Sequence, residues 1–387
     1  MNSDSYSIRC SIVRGGTSKG VFIMENELPS DVKLREKVIL GIYGSPDVRQ
    51  IDGLGGADLL TSKLAIIGPP SVPDADVDYT FGQVSLTDSH VEFDSNCGNI
   101  SAGVGPYAIN YGLVRPIEPI TNVRIHLKNI GKIIAAEVPV KDGRAQVDGD
   151  FEIDGVPGTG ARIALDWSNV VGGMTGKLLP TGNPVDIVEH EGRQIPISIV
   201  DAGTLSTFVR AEDLGMSGTE APQEIMADDV LVKRIEAIRG KILQKAGLIE
   251  DWRGAKEWNH FMPFFNTVTK PIDYTCLNGA KMKSSDVDLI CRLSSMGLIH
   301  KAYAGSGSVC LAAAARIKGS VVYDIIDGDA HGRSTLSIGH ASGVMHAESV
   351  AEYSPEGRLI LRRLNFFRTA RVIMDGTVYV RKSVIAE

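Results

Sequence analysis

The stretch Ser95-Asn96-Cys97-Gly98-Asn99-Ile100-Ser101-Ala102-Gly103-Val104-Gly105 sets a cysteine ahead of a Gly-Asn pair and then runs into small and apolar residues. That composition reads as the start of a buried helix. Small side chains let such a helix lie close to surrounding backbone, and its first N–H groups, with no carbonyl partner inside the helix, point past Cys97. A helix start attracts anions and favours a thiolate over a thiol. Cys97 therefore has two readings: a reactive sulfur sharing a pocket with a carboxylate ligand, or a small buried hydrophobe, as most free cysteines are.

A second stretch of the same character lies far downstream, Ala304-Gly305-Ser306-Gly307-Ser308-Val309-Cys310-Leu311 followed by Ala312 to Ala315 and ending near Lys318-Gly319. A helix apolar on every side is wrapped by other structure. Strand patterns surround both. Ser7 to Val13, the glycine- and hydroxyl-rich turn Arg14 to Gly20, and Val21 to Met24 read as a strand, turn and returning strand. Leu59 to Ile67 is β-like, and Tyr79 to Leu86 with Ser89 to Phe93 form a hairpin that delivers the chain to Cys97. Val123, Ile125 and Leu127 alternate with polar residues, and Lys132 to Val140 and Arg144 to Ile153 flank the tight-turn dipeptide Asp142-Gly143. Later strands are expected at Ile195 to Ile199, Val344 to Tyr353, Leu359 to Phe366 and Thr377 to Arg381. Two surface helices are expected, one over Asp31 to Tyr43 and the longest over Pro222 to Leu248.

At 387 residues the chain is long for a single core, so two domains are expected, 1–184 and 185–387, with a loop-rich boundary near Thr181 to Pro184. Their central helices fall at about residues 98–111 and 305–318. The economical arrangement is a duplicated α+β unit, each half a curled sheet around one buried helix, with the last strands free to return to the first half. A net charge of −7 without runs of like charge argues against nucleic acid as a partner. No apolar stretch reaches the length of a membrane span, and the first residues lack a signal-peptide core. The five cysteines are scattered without a C-x-x-C pair, which fits a reducing, cytoplasmic location and no structural zinc.

If both buried helices begin at a domain interface, their N-termini face one cleft and could hold two carboxylates of one small acid. Thr17, Ser18, Thr61 and Ser62 would add hydroxyl contacts. Lys63 stands among apolar neighbours, Leu60-Thr61-Ser62-Lys63-Leu64-Ala65-Ile66. A buried lysine is costly without a partner, and desolvation tunes its amine toward general-base work. The alternative is a strand-end lysine reaching water or pairing with Asp58. His340-Ala341-Ser342-Gly343 supplies ligand contacts or simply a turn. Gly53-Leu54-Gly55-Gly56 is no phosphate loop, because no Gly-Lys-Ser/Thr follows it, and Gly305-Ser306-Gly307 lacks the third glycine of a dinucleotide fingerprint. His331, His340 and His346 carry no carboxylate spacing of the kind metal sites use, so no metal is expected.

Together, RGGTSKG (Arg14 to Gly20), DGLGGADLLTSK (Asp52 to Lys63), SNCGNISAGVGP (Ser95 to Pro106), YAGSGSVCLAAA (Tyr303 to Ala314) and GHASGVM (Gly339 to Met345) resemble the PrpF family. This is a family of isomerases and tautomerases acting on aconitate, methylaconitate, methylitaconate and oxalomesaconate. The likeness runs in order along nearly the whole chain. It implies a diaminopimelate epimerase-like fold, an activity without cofactor, and proton movement along the allylic system of a small unsaturated di- or tricarboxylate. By the same resemblance Lys63 is the base, Cys97 and Ser18 complete the catalytic set, and Gly98, Asn99 and Gly305, Ser306, Gly307, Ser308 are the anion-holding helix starts. Thr17, Ser62, His340, Ser342 and Gly343 join them as substrate contacts. The wider fold pairs two cysteines; here the second falls at Ala304, with Cys310 two turns further in. That disfavours thiol–thiol racemisation and favours a one-proton shift by Lys63, assisted by Cys97. The rival expectation is a non-catalytic carboxylate-binding protein on the same scaffold, and a homodimer stays open.

Overall fold

The computed structural model describes residues 4–383 except Ser95, His260 and Met296, so the first residue of the Ser95–Gly105 stretch and the chain ends of both expected domains lie outside the described residues. Residues up to Leu165, together with those from Arg368 onward, form one compact unit, and Asp166–Phe367 form the other.

In the first unit the chain enters as β1 (Ser5–Gly15) and returns as β2 (Ser18–Met24). It continues through the helix α1 (Val32–Tyr43), whose N-cap Asp31 accepts from Leu34 N at 2.8 Å and whose end is closed by left-handed Gly44. β3 (Lys63–Gly68), β4 (Val77–Val84) and β5 (Val91–Glu92) lead to α2 (Gly98–Asn110), and β6 (Ile120–Leu127) and β7 (Lys132–Lys141) follow. β1 lies antiparallel to both β2 and the C-terminal strand Ala370–Arg381. β2 runs parallel to β3, β3 antiparallel to β4, β4 parallel to β6, and β6 antiparallel to β7. Helix α2 packs against the C-terminal strand at one end of this order and β7 at the other, so the sheet curls around it. The helix accepts this enclosure because it is nearly bare. A Cβ on Gly103 would stand 2.9 Å from Phe22 Cζ, and one on Gly105 2.7 Å from Val138 Cγ2. Asp142 and Gly143 turn the chain with φ of 53° and 70°, as a tight hairpin requires.

The second unit is built alike. β8 (Asp186–His190), β9 (Arg193–Ala202) and β10 (Thr204–Arg210) form an antiparallel meander. Then come α3 (Asp229–Lys245), β11 (Phe264–Thr269), β12 (Leu289–Ser295), α4 (Gly305–Ala314), β13 (Thr335–His340), β14 (Gly343–Tyr353) and β15 (Leu359–Arg368). β10 pairs parallel with β11 and β12 parallel with β13, so this sheet is also mixed. Helix α4 is buried along its whole length against β9, β10 and β14.

Four sequence expectations change in detail. The single helix over Pro222 to Leu248 is two, broken where the Asp228 carboxylate leaves the helix to accept from Val230 N and Leu231 N; α3 is solvated on one face only, with Leu231, Ile235, Ile238 and Ile242 in the core. The strand expected from Arg144 to Ile153 survives only at Arg144–Ala145 and Phe151–Glu152. The β-like run from Leu59 starts at Lys63, because Asp58 turns the chain by accepting from Leu60 N and Thr61 N. Helix α4 stops at Ala314 rather than near Lys318, where Ser320 Oγ donates to the Ala314 carbonyl. Among the described residues no helix is long and apolar enough to cross a membrane.

A candidate active site at the start of the first buried helix

Cys97 is the N-cap of α2. Its backbone is extended (φ −120°, ψ 106°) and its side chain makes no capping bond, so the sulfur is not committed to holding the helix end. The first intrahelical bond runs from Ser101 N to the Cys97 carbonyl at 2.9 Å, which leaves the amides of Gly98, Asn99 and Ile100 ahead of any helical acceptor. Cys97 is 9% exposed. Beside it lies Tyr79, whose hydroxyl is pushed well up by burial first and by the neighbouring Cys97 second.

Lys63 opens β3, between Gly20 of β2 and Gln83 of β4 in the strand register. It is 7% exposed, its amine donating to Gln83 Oε1 at 2.9 Å and standing 5.3 Å from the centre of the Phe81 ring. Gln83 is itself oriented: its Nε2 donates to the carbonyls of Leu59 and Ser62 at 3.2 and 3.1 Å, which turns Oε1 toward the amine. Among the described residues the amine meets no carboxylate, Asp58 included. The amine is thus held by a neutral amide and a ring face.

Several polar atoms at this end of the unit are sealed from water without a partner. They are Ser18 Oγ and both amide atoms of Asn96. Unpaired buried groups are rare in folded proteins, and each is open to a water or a ligand that brings the missing partner. Asn99 is fixed on both sides, with Nδ2 donating to Thr17 Oγ1 at 3.2 Å and Oδ1 accepting from Arg368 Nε at 2.7 Å. Arg368 is buried too. Loss of hydration pulls its guanidinium down to about 9, against the opposing pull of the Cys97 group that faces it, so it stays a cation at neutral pH.

The unit thus places Thr17 against Asn99 in the first turn of α2, with Cys97 at its N-cap and Ser18 on the adjoining strand, while Lys63 lies on the neighbouring strand β3. Ser62 has another task, its hydroxyl donating to Gln50 Oε1 at 2.7 Å and tying down the loop before β3. Gln83, Asn96, Tyr79 and Arg368 were not flagged by the sequence. Gln83 could have been, as a lone amide in the apolar strand Val77–Val84. Arg368 carries no local signal, since its partner Asn99 is 269 residues away.

In the second unit α4 starts from Ala304, which has no side chain to cap with, and Ser308 Oγ folds back onto the Gly305 carbonyl at 2.8 Å. Ser306 and Gly307 are buried in the first turn. Cys310 is wholly enclosed, its thiol donating to the Val200 carbonyl and pushed up to about 12 by burial. His340 Nδ1 accepts from Ser342 N at 3.1 Å, Ser342 Oγ donates to the Lys301 carbonyl, and Tyr274 bridges the carbonyls of His340 and Gly343. Among the described residues, no three His, Cys, Asp or Glu side chains gather to hold a metal ion.

Residues 5–381 match the family model described as PrpF protein. The chain is 49% identical over 382 residues to 3-methylitaconate isomerase of Eubacterium barkeri, covering 98% of this chain and 99% of that one. It is 37% identical over 373 residues to 4-oxalomesaconate tautomerase of Pseudomonas putida, covering 96% of each. A crystal structure of methylitaconate-delta-isomerase superposes with a TM-score of 0.83 at 49% identity, over 99% of this chain and 98% of the other. A hydroxyproline epimerase from Agrobacterium vitis, 13% identical, superposes with a TM-score of 0.56 over 97% of this chain and 92% of the other, and shares the fold alone. The fold is therefore the α+β epimerase-type fold that the family resemblance implied.

Proposed function

The chain belongs to the PrpF family, and from that premise we propose that it is an isomerase that moves a proton along the allylic system of a small unsaturated polycarboxylic acid, with Lys63 as the base. The observation that carries the reading is the Lys63 amine, buried, unpaired with any carboxylate, and set on the same unit as a helix start flanked by Cys97, Ser18 and Asn96. A carbon next to a carboxylate-conjugated double bond is acidic. The neutral amine takes its proton, the C–H pair flows into the π system, and a dienolate forms. The amides of Gly98, Asn99 and Ile100 and the hydroxyl of Ser18 are the donors for that charge, which is where such sites obtain most of their acceleration. The proton returns at the far end of the allylic system, from the Lys63 ammonium or from the Cys97 thiol. If Cys97 delivers it, the ammonium then reprotonates the sulfur.

In the second unit, the first-turn amides of α4 with Ser306 offer the same anion-binding chemistry to a carboxylate. His340, Ser342 and Gly343 are proposed as contacts through the turn they build. The relative 49% identical acts on 3-methylitaconate, so a methylitaconate-type diacid is the first substrate to test and an oxalomesaconate-type acid the second. The scattered cysteines, none joined in a disulfide, fit action in the cytoplasm. Incubated in D2O with methylitaconate, the protein should shift the double bond and place deuterium at the allylic carbons. Lys63→Met should lower that exchange by about a thousandfold or more. Wild-type protein that exchanges no deuterium into any of these acids would overturn the activity, and a Lys63→Met variant with wild-type exchange would overturn the base.

A further inference from the structure

We propose that Gln50, enclosed by the glycine loop 52–58, is a positioning residue for the Lys63 amine, acting through Ser62 and Gln83. This rests on the reading above that Lys63 is the base of an allylic isomerase.

The amine donates to Gln83 Oε1, and that oxygen faces the lysine because the Gln83 Nε2 hydrogens are occupied elsewhere, on the carbonyls of Leu59 and Ser62. A flipped amide would set its NH2 group against the amine and its oxygen against two carbonyls. Where those two carbonyls lie therefore decides how Gln83 holds the amine. Ser62 is fixed in turn at both of its polar groups. Its carbonyl also accepts from Val84 N at 3.0 Å, and its hydroxyl donates to Gln50 Oε1 at 2.7 Å. Gln50, Ser62 and Gln83 are all buried, and together they form a chain of neutral hydrogen bonds that ends at the lysine. Buried polar networks whose members are satisfied are rigid.

The glycine loop is the seat of this chain. Gln50 Oε1 also accepts from Ala57 N at 2.9 Å, and Nε2 donates to Ser45 Oγ at 3.0 Å, so the amide is bound on both sides. A Cβ on Gly55 would stand 2.1 Å from Gln50 Cδ and Oε1. Only bare backbone passes this close. Gln50 and Ala57 take positive φ angles of 47° and 56°, uncommon for residues with a Cβ and sustained here by the bonds between them. The run Gly53-Leu54-Gly55-Gly56, which has no phosphate-loop pattern, is thereby explained as the housing of one amide.

The backbone of the lysine is pinned as well. Tyr43, at the end of α1, donates its hydroxyl to the Lys63 carbonyl and accepts from Val21 N at 3.2 Å. A Cβ on Gly20 would stand 2.4 Å from the same carbonyl oxygen. Held at its backbone by Tyr43 and at its amine by Gln83, the side chain between has little freedom. A base that serves two carbons of one allylic system needs such placement, since a shift of about 1 Å can cost about a hundredfold in rate.

The test compares wild type, Gln50→Leu, Gly55→Ala and Lys63→Met acting on methylitaconate in D2O. Gly55 lies outside the left-handed region, so alanine fits its backbone and crowds only the far end of the Gln50 side chain. The rate of the double-bond shift gives kcat and KM, and deuterium at the carbon that loses its proton gives the exchange per shift. Gln50→Leu and Gly55→Ala should each lower kcat about fivefold with KM within about twofold, and raise exchange per shift about threefold. The ratio rises because a loosened amine returns its proton to the carbon it came from more often. An amide that serves only folding alters the urea midpoint or the amount of active protein and leaves that ratio at its wild-type value. Such a result in both variants, or in whichever of them folds, overturns the positioning role. If Lys63→Met keeps wild-type exchange, the base reading fails and the proposal with it; if Lys63→Met loses exchange while the ratio holds in the loop variants, positioning alone is overturned.

Discussion

The two buried helices start from similar sequences and arrive at different chemistry. Both are lined with small residues and wrapped by a mixed sheet, and both present a first turn of free amides. At the first, a cysteine occupies the N-cap itself, with its sulfur outside the helix beside Arg368 and Tyr79. At the second, alanine holds the N-cap, and the nearest cysteine lies six residues inside the helix, where burial raises its thiol to about 12. The two units therefore share a helix start of free amides but not the thiol ahead of it. One thiol stands ahead of the first turn, and the other is packed within the helix.

Exchanging the two sulfurs for other groups gives the sharpest contrast. Cys97→Ser should cost about a hundredfold or more in turnover with little change in the unfolding midpoint. Cys310→Ala should keep turnover within about threefold while destabilising the fold by about 1–2 kcal/mol, measured by urea unfolding. Equal effects at the two positions would erase the distinction. Next in size is the support of the lysine. Gln83→Glu replaces the neutral acceptor of the Lys63 amine with a carboxylate, so turnover should drop by about tenfold, measured as deuterium incorporation, while Gln83→Leu, which removes the acceptor without adding charge, should cost less. The smallest effect is a pH signature of Cys310. Its thiol ionises in the unfolded chain near the usual 9.0 but near 12 when folded, so the unfolded state releases its proton first. Stability from this group is complete below pH 9 and declines as the pH climbs toward 12. Cys310→Ala should lose less stability than wild type across that interval.

Much of this contrast was written locally in the chain. The small-residue runs after Cys97 and Ala304 specified wrapped helices, because no other element tolerates residues apolar on all sides, and Asp142-Gly143 specified its hairpin through two positive φ angles. Lys63 stood out because charge is conspicuous in an apolar strand. What stayed hidden depended on partners distant in sequence or on one side-chain bond. Arg368 meets Asn99 only because the C-terminal strand returns to β1, and no nearby residue announces that pairing. Ser62 read as a ligand contact but donates to Gln50, a bond that no periodicity encodes. The break at Asp228 was missed because the apolar spacing of α3 continues smoothly across it, although aspartate is a good N-cap.

The most direct test of the lysine's role is chemical rescue. Lys63→Ala leaves room where the side chain stood, and added methylamine or ethylamine can occupy it. If the amine is the proton-transfer group, small primary amines should restore deuterium incorporation into methylitaconate in proportion to their concentration, and the rescued rate should rise with amine basicity. If Lys63 serves only the packing of β3, incorporation by Lys63→Ala will not respond to any amine, and the assignment of the base will be wrong.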